Sequence, residues 1–370
     1  MKKILFLIHD LGHGGAEKVL VNLVNNMDRT KFDITVMALF GGGVNEQFLS
    51  KDIRLVICHK NAIRGNSHIM KLFTPRQLYC HYIKEHYDIV VSYLEGPCAR
   101  IVSGCPNLET KLVSWIHIEQ KTQQRVAGSF RNYSEALKCY GRFDRTVCVS
   151  DTVRQDFLGF VPLEKPVDVL YNTSESAKIL SLATENVPEG MFSHEEINLI
   201  GVGKILKNKG FDRIARIHKR LRDEGYPVHT YILGVGPQQE EISQYLQENK
   251  LTDTYTFLGY QTNPYKYVAQ CDLFVCASLA EGFSTAATEA LIVGTPVCTV
   301  EVSGMKEMLG ENNEWGIVTD NDEQALFQGI KKILDDSTLL AHYKEKAAQR
   351  GMFFSTEQTV RAVEEMFQNL

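Results

Sequence analysis

Glu281 and Glu289 lie eight residues apart in the stretch Ala-Glu-Gly-Phe-Ser-Thr-Ala-Ala-Thr-Glu-Ala-Leu-Ile-Val-Gly-Thr-Pro-Val, residues 280 to 297, which is otherwise fit for burial. Residues 273–276 read as a strand, 277–281 as a turn and 284–293 as a helix ended by Gly294-Thr295-Pro296. Free amides of Gly282, Phe283, Ser284 and Thr285 at the start of such a helix would favour a phosphate, by hydrogen bonds and by the helix dipole. Gly282, lacking a side chain, would let a ligand approach the backbone. Eight helical residues span about 12 Å. Carboxylates so placed could flank a bound diphosphate and bond hydroxyls at its two ends, a sugar at one and a ribose at the other. The plainer alternative is that Glu281 caps the helix and Glu289 is exposed.

Such residues need elements to hold them. A chain of 370 residues suits two domains of roughly 150 to 200 residues each. In the first half, residues 4–8, 34–39, 54–57, 89–93, 112–116, 146–149 and 167–170 read as strands, interleaved with helical patterns at 16–26, 76–84 and 134–140. The alternation restarts near residue 197, with strands at 198–202, 229–233, 254–258, 273–276, 296–300 and 316–318, and helices such as 211–222 and 238–247. Two such series predict an α/β protein of two Rossmann-like domains with parallel sheets. The expected boundaries are 1–172 for the first domain, 173–196 for a linker rich in Ser, Glu, Asn and Thr, and 197–355 for the second. Ligands of doubly wound sheets sit outside the carboxyl ends of the strands, so two domains facing each other would hold the ligand in a cleft.

Composition narrows the function classes. Hydrophobic residues at 44% and charged ones at 23% are those of a soluble globular protein. No run of about 18 apolar residues suggests a transmembrane helix. The apolar run that opens the chain stops at His9-Asp10, short of the roughly 7 to 15 residues a signal peptide needs, and reads as a first buried strand. Nine cysteines without a C-x-x-C pair give neither a disulfide framework nor a zinc site and fit a reducing cytoplasm. Residues 1–170 hold 22 Lys and Arg against 17 Asp and Glu, a net of +5, and residues 171–370 hold 18 against 28, a net of −10. The basic half suits an anionic partner such as a membrane surface, or else the two surfaces simply differ. A net-acidic chain without a dense basic-aromatic stripe gives nucleic-acid binding little support.

The stretch with the two glutamates resembles the E-x7-E motif of retaining glycosyltransferases of the large GT-B family 4, including Ala290-Leu291, Gly294-Thr-Pro-Val297 and the later Gly304-x-x-Glu307. Other family-like segments follow in order: Gly14-Gly15-Ala16-Glu17, Trp115-Ile-His117, Val149-Ser150, Val169-Leu-Tyr-Asn172, Gly203-Lys204 with Lys209-Gly210, Gly234-Val-Gly236-Pro237, Phe257-Leu-Gly259 and Trp315-Gly-Ile-Val318. The resemblance implies a GT-B fold whose final helix, 356–370, crosses back to the first domain. It implies that Glu281 binds hydroxyls of the transferred sugar, that Glu289 binds the ribose, and that His117 contacts the donor sugar near the reacting carbon. Lys204 and Lys209 carry charge suited to the diphosphate, although the family usually has Arg where this chain has Lys204, which turns a bidentate clamp into a point charge. Gly14 and Gly15 resemble the loop that approaches the diphosphate from the first domain, and Gly203 and Gly234 belong to the donor loops. Each of these has a bland reading as well: a helix-entry turn for the glycines, a solvated loop for the lysines, a structural histidine for His117.

The implied reaction is retaining transfer of a hexose or N-acetylhexosamine from a nucleotide-diphosphate sugar, UDP being common in the family. The acceptor would be a glycan or polyprenyl-diphosphate-linked saccharide, as in capsule or lipopolysaccharide assembly. No cofactor is expected. Asp320-Asn321-Asp322 has the Asp-x-Asp spacing of metal-dependent sugar transferases, but it immediately precedes a helical pattern at 323–334, where Asp is a good N-cap. The lysines and helix dipole would then neutralise the leaving diphosphate without a metal. Arg64, Lys71 and Arg76, set among Ile69, Met70, Leu72 and Phe73, suit an acceptor or membrane side at the inner face of the plasma membrane. The competing classes are a GT-B epimerase or phosphorylase, and a partner subunit that binds nucleotide sugars without catalysis.

Overall fold

The computed structural model describes residues 1–12, 14–61, 69–193 and 195–370. It divides into two compact units, one of Met1–Thr173 with Thr356–Leu370, the other of Ser174–Ser355.

The first unit is built on a seven-stranded sheet: β1 (Lys2–Ile8), β2 (Phe32–Phe40), β3 (Arg54–His59), β4 (Ile89–Ser92), β5 (Lys111–Ile116), β6 (Arg145–Cys148) and β7 (Val167–Val169). Its order is β3-β2-β1-β4-β5-β6-β7, and every pairing is parallel. The central strand β1 is completely buried from Ile4 to Ile8, as a continuous apolar run must be when helices cover both faces. The helix Gly15–Asn26 returns over the sheet and buries Val19, Leu20, Leu23 and Val24, the three-and-four spacing of one helical face. The helix Thr356–Gln368 completes this unit. Phe367 sets its ring 5.8 Å from that of Phe6 and 6.3 Å from that of Phe32, and Lys2 Nζ donates to the Phe367 carbonyl at 2.9 Å. Glu364 Oε1 accepts the Asp28 amide at 2.6 Å.

The second unit has a six-stranded parallel sheet of β8 (Ile197–Val202), β9 (Val228–Leu233), β10 (Tyr255–Gly259), β11 (Leu273–Cys276), β12 (Val297–Val300) and β13 (Ile317–Thr319), in the order β10-β9-β8-β11-β12-β13. The segment read as a linker is not one along its length, because residues from 174 on belong to this unit. Within it, Ser176–Ala183 is a helix whose Ile179 packs with Tyr265 and Ile292. An isolated buried Ile in a Ser-rich run gives too little periodicity to reveal such a helix in advance.

In both sheets the chain starts in the middle, builds outward on one side, then returns to build on the other. The reversal falls between β1 and β4 in the first sheet and between β8 and β11 in the second. Loops leaving the carboxyl ends of the strands at such a reversal diverge and leave a crevice for a ligand.

Candidate functional site

In the second unit, the loops after β8 and β11 carry the residues that matter. Lys209, half-buried, ends a short 3-10 turn, Lys207–Lys209, and places Nζ 2.6 Å from Glu281 Oε1. The same carboxylate oxygen accepts from Ser278 Oγ at 2.8 Å. The two loops are also joined through their backbones, with the Leu279 amide donating to the Asn208 carbonyl at 2.8 Å. Gly210, at φ +67°, follows directly, and a β-carbon there would collide with the Ala277 carbonyl oxygen. Lys204 stands exposed earlier in the same loop. Gly203 and Gly234 lie where the loops after β8 and β9 meet: at φ +138°, a side chain on Gly234 would run into the Gly203 carbonyl.

The helix after β11 runs from Thr285 to Ile292, and its N-cap is Ser284, whose Oγ accepts the Ala287 amide at 3.3 Å. Glu281 is therefore not the cap. Phe283 sets its ring 5.7 Å from that of Phe354. Glu289 is not exposed either: 8% of its surface is accessible, and Tyr265 donates its hydroxyl to Glu289 Oε1 at 3.3 Å. A carboxylate on the buried face of a helix is costly unless hydrogen-bonded. Asp322 caps the helix Glu323–Leu334 through the Ala325 amide at 2.8 Å.

In the first unit, His117 follows β5 directly. Its backbone amide donates to Glu95 Oε2 at 3.1 Å, its ring lies 4.9 Å from that of Tyr93, and Nε2 is buried with no hydrogen-bond partner among the described residues. Burial lowers the imidazole to about 4, against a smaller opposing effect of a hydrogen bond to the Tyr93 backbone. Burial likewise pushes the Glu95 carboxyl above its ordinary range. Gly14 is the N-cap of the helix Gly15–Asn26 and is covered by the Glu17 carboxylate, which any side chain at position 14 would strike.

Ser278 and Glu95 were not among the residues singled out by sequence. Glu95 could have been, since it precedes Gly96 just beyond β4, beside the reversal of the first sheet. Arg64 lies outside the described residues. Lys71 is half-buried and Arg76 exposed, near Ile69, Leu72 and Phe73, whose side chains are all exposed. This segment is held from behind: Arg100 donates to the carbonyls of Met70 and Phe73, each at 2.7 Å, while pairing with Glu135 at 3.0 Å, and Arg131 donates to those of Lys71 and Leu72.

Two Rossmann-like units with parallel sheets, each presenting glycine-bearing loops at its reversal, are the architecture of the GT-B glycosyltransferases. The structure of HepE from Anabaena in complex with UDP and glucose has the same fold, with a TM-score of 0.79 at 18% identity over 100% of both chains. The family described as "Glycosyl transferases group 1" matches residues 183–350, and that described as "Glycosyltransferase Family 4" matches residues 13–173. The chain belongs to this glycosyltransferase family. Among its relatives is the "N-acetylgalactosamine-N,N'-diacetylbacillosaminyl-diphospho-undecaprenol 4-alpha-N-acetylgalactosaminyltransferase" of Campylobacter jejuni, 27% identical over 98% of each chain. Another is the "Lipopolysaccharide core biosynthesis glycosyltransferase LpsD" of Rhizobium meliloti, 24% identical over 90% of this chain and 88% of that one.

Proposed function

We propose that this glycosyltransferase moves a hexose or N-acetylhexosamine from a nucleotide-diphosphate sugar, a UDP-sugar foremost, to a hydroxyl of a glycan or polyprenyl-diphosphate-linked saccharide. Transfer proceeds with retention and without a metal, in the assembly of a bacterial surface polysaccharide. The observation that carries the reading is the Lys209–Glu281 pair at the reversal of the second sheet, 2.6 Å apart and beside a Ser284-capped helix that bears the buried Glu289. A cation and a carboxylate so placed match what a sugar diphosphate offers, anionic oxygens next to hydroxyls.

In this reading Lys209 and Lys204, with the helix N-terminus, neutralise the diphosphate, Glu281 accepts from hydroxyls of the transferred sugar, and Glu289 accepts from the ribose. Gly203, Gly234, Gly282, Phe283, Ser284 and Thr285 line the donor, and Gly14 and Gly15 admit the diphosphate on the first unit. His117 presents Nε2 to the donor sugar. The bond from the anomeric carbon to the diphosphate oxygen breaks while the bond to the acceptor oxygen forms on the same face. The leaving phosphate oxygen takes the acceptor's proton. The protein's contribution is positioning and charge stabilisation.

The name of the Campylobacter jejuni relative supports a diphospho-polyprenol-linked acceptor. So does the exposed apolar segment around Leu72 with Lys71 and Arg76 beside it, since cations attract anionic headgroups and apolar side chains enter the interface. Liposomes containing anionic lipid should float the protein at low salt and release it at high salt. Flotation indifferent to lipid charge would remove the membrane from the proposal.

The central test is a thermal-shift panel of UDP-, GDP- and ADP-sugars with EDTA present. The UDP-sugars should raise the melting temperature of the wild type, Glu289→Ala should weaken that shift, and Glu281→Ala should keep the fold while losing turnover. Failure of every donor to shift the protein, or normal turnover by a folded Glu281→Ala protein, would defeat the assignment.

A further inference from the structure

Arg213 is the third residue of the helix Phe211–Asp223 and is buried, with 7% of its surface accessible. Its Nη1 donates to the Ala277 carbonyl at 3.0 Å and to Asn321 Oδ1 at 2.8 Å. Asn321 in turn reaches the Ser278 carbonyl with Nδ2 at 3.5 Å. The two side chains thus hold consecutive carbonyls of the loop whose next residues are Leu279, Ala280 and Glu281. Among the described residues, no carboxylate lies within ion-pair distance of Arg213. The partners that answer its buried charge among those residues are a carbonyl and an amide. Among the described residues, neither hydrogen-bonds or ion-pairs with the side chain of Lys209 or Glu281.

We propose that Arg213 and Asn321 are positioning residues for the Lys209–Glu281 pair, setting the loop after β11 against the loop after β8. This rests on the donor-site reading above. The physical case is that, among the described residues, Ser278 and Lys209 are the hydrogen-bond partners that fix the Glu281 carboxylate, and both come from short loops. Four links bind those loops together. Two are direct, the Leu279 amide on the Asn208 carbonyl and the ion pair itself. The third is the packing of Gly210 on the Ala277 carbonyl, and the fourth is the Arg213 clamp on that same carbonyl. Arg213 follows Lys209 on the chain and grips the loop of Glu281, so it transmits the position of one partner to the other. Both bonds leave Nη1, whose two hydrogens are fixed in the guanidinium plane and so set the directions of both acceptors, which a freely rotating ammonium would not do. Asn321, on the surface just after β13, accepts the second Nη1 bond, which keeps the guanidinium plane from turning, and supports the next carbonyl.

The test uses the full chain with Arg213→Lys, Arg213→Met and Asn321→Ala. Three quantities are read: hydrogen exchange at the Leu279 amide, kcat and KM for the donor, and the melting temperature. Loss of one charge-assisted hydrogen bond corresponds to roughly tenfold or more in an equilibrium or a rate. The expected result is exchange at Leu279 faster by about that factor, with kcat reduced as much and KM little changed, since a displaced Glu281 is felt most in the transition state. Arg213→Lys should fall between wild type and Arg213→Met in kcat. Unchanged exchange and unchanged kcat in the folded Asn321→Ala protein would overturn the proposal. Should Arg213 variants fail to fold, Asn321→Ala decides alone, because Asn321 is exposed. If the wild type transfers no sugar, the functional reading has failed, while the exchange at Leu279 still reports whether Arg213 and Asn321 hold the loop.

Discussion

His117 is worth following through a titration. Its imidazole is lowered to about 4 by burial, so at neutral pH it is uncharged and its buried Nε2 is an acceptor or a donor but never part of a cation. An unfolded chain would hold the same ring near its ordinary value of about 6.5. Between those values the unfolded state binds a proton that the native state refuses, so stability should fall as the pH drops from about 6.5 toward 4. His218, bonded to Thr230 and Thr254 and lowered to about 3 by burial, acts in the same direction. His117→Gln should therefore flatten part of the acid limb, by up to about 3 kcal/mol between pH 7 and 4, in urea titrations at each pH. An acid limb of unchanged slope would mean that the native ring takes up its proton at the same pH as the unfolded chain, and that burial does not lower it. At this scale the sequence was readable where two charges had to be explained, as with Glu281, Glu289 and Lys209. Ser278, Arg213 and Asn321 were not readable. Ser278 meets Glu281 through a hydroxyl that nothing in an ordinary turn sequence marks, Arg213 and Asn321 bond backbone carbonyls, which leave no pattern in side-chain spacing, and Arg213 could have been suspected only as a charge beside the apolar stripe of Ile214 and Ile217.

Elements were more legible than contacts. Each strand from β1 to β13 overlaps a segment that reads as a strand, because central strands of a covered parallel sheet are continuous apolar runs. The longest described helix, Ser337–Phe353, escaped notice for the opposite reason: it buries only Tyr343, Ala347 and Gly351, a stripe one residue wide. Gly351 has no side chain to contribute, and one placed there would strike the backbone of Leu291 and Ile292. Local backbone conformation can be separated from contact by comparing two glycines. Gly210 and Gly225 both have positive φ, +67° and +88°, but only Gly210 has an atom where its β-carbon would go. Gly225→Ala should cost about 1 to 2 kcal/mol, the conformational penalty alone, and leave turnover intact. Gly210→Ala should cost more and depress turnover, because the loop of Lys209 must move away from Ala277. Equal losses in denaturant midpoint and equal turnover in the two variants would show that the close packing at Gly210 carries no consequence.

At the scale of the whole molecule, the first unit is assembled from two distant parts of the sequence. Phe367 is fully buried, with Phe6 and Phe32 around it. Phe367→Ala should cost about 3 to 5 kcal/mol, the range for removing a core aromatic ring. Because the second unit has its own sheet and core, the loss should appear as an early transition of the first unit in calorimetry while the nucleotide-induced shift of the second persists. A single transition displaced as a whole would indicate that the two unfold as one. The same arrangement sets the order of events during synthesis. Chains ordinarily fold domain by domain as they leave the ribosome, the N-terminal domain first. Here Phe6 and Phe32 are made early, but the ring that closes over them is added only after residues 174–355 have been translated. The first unit is therefore begun before the second and completed only after it, and until then its apolar pocket stands open to whatever in the cell guards nascent chains.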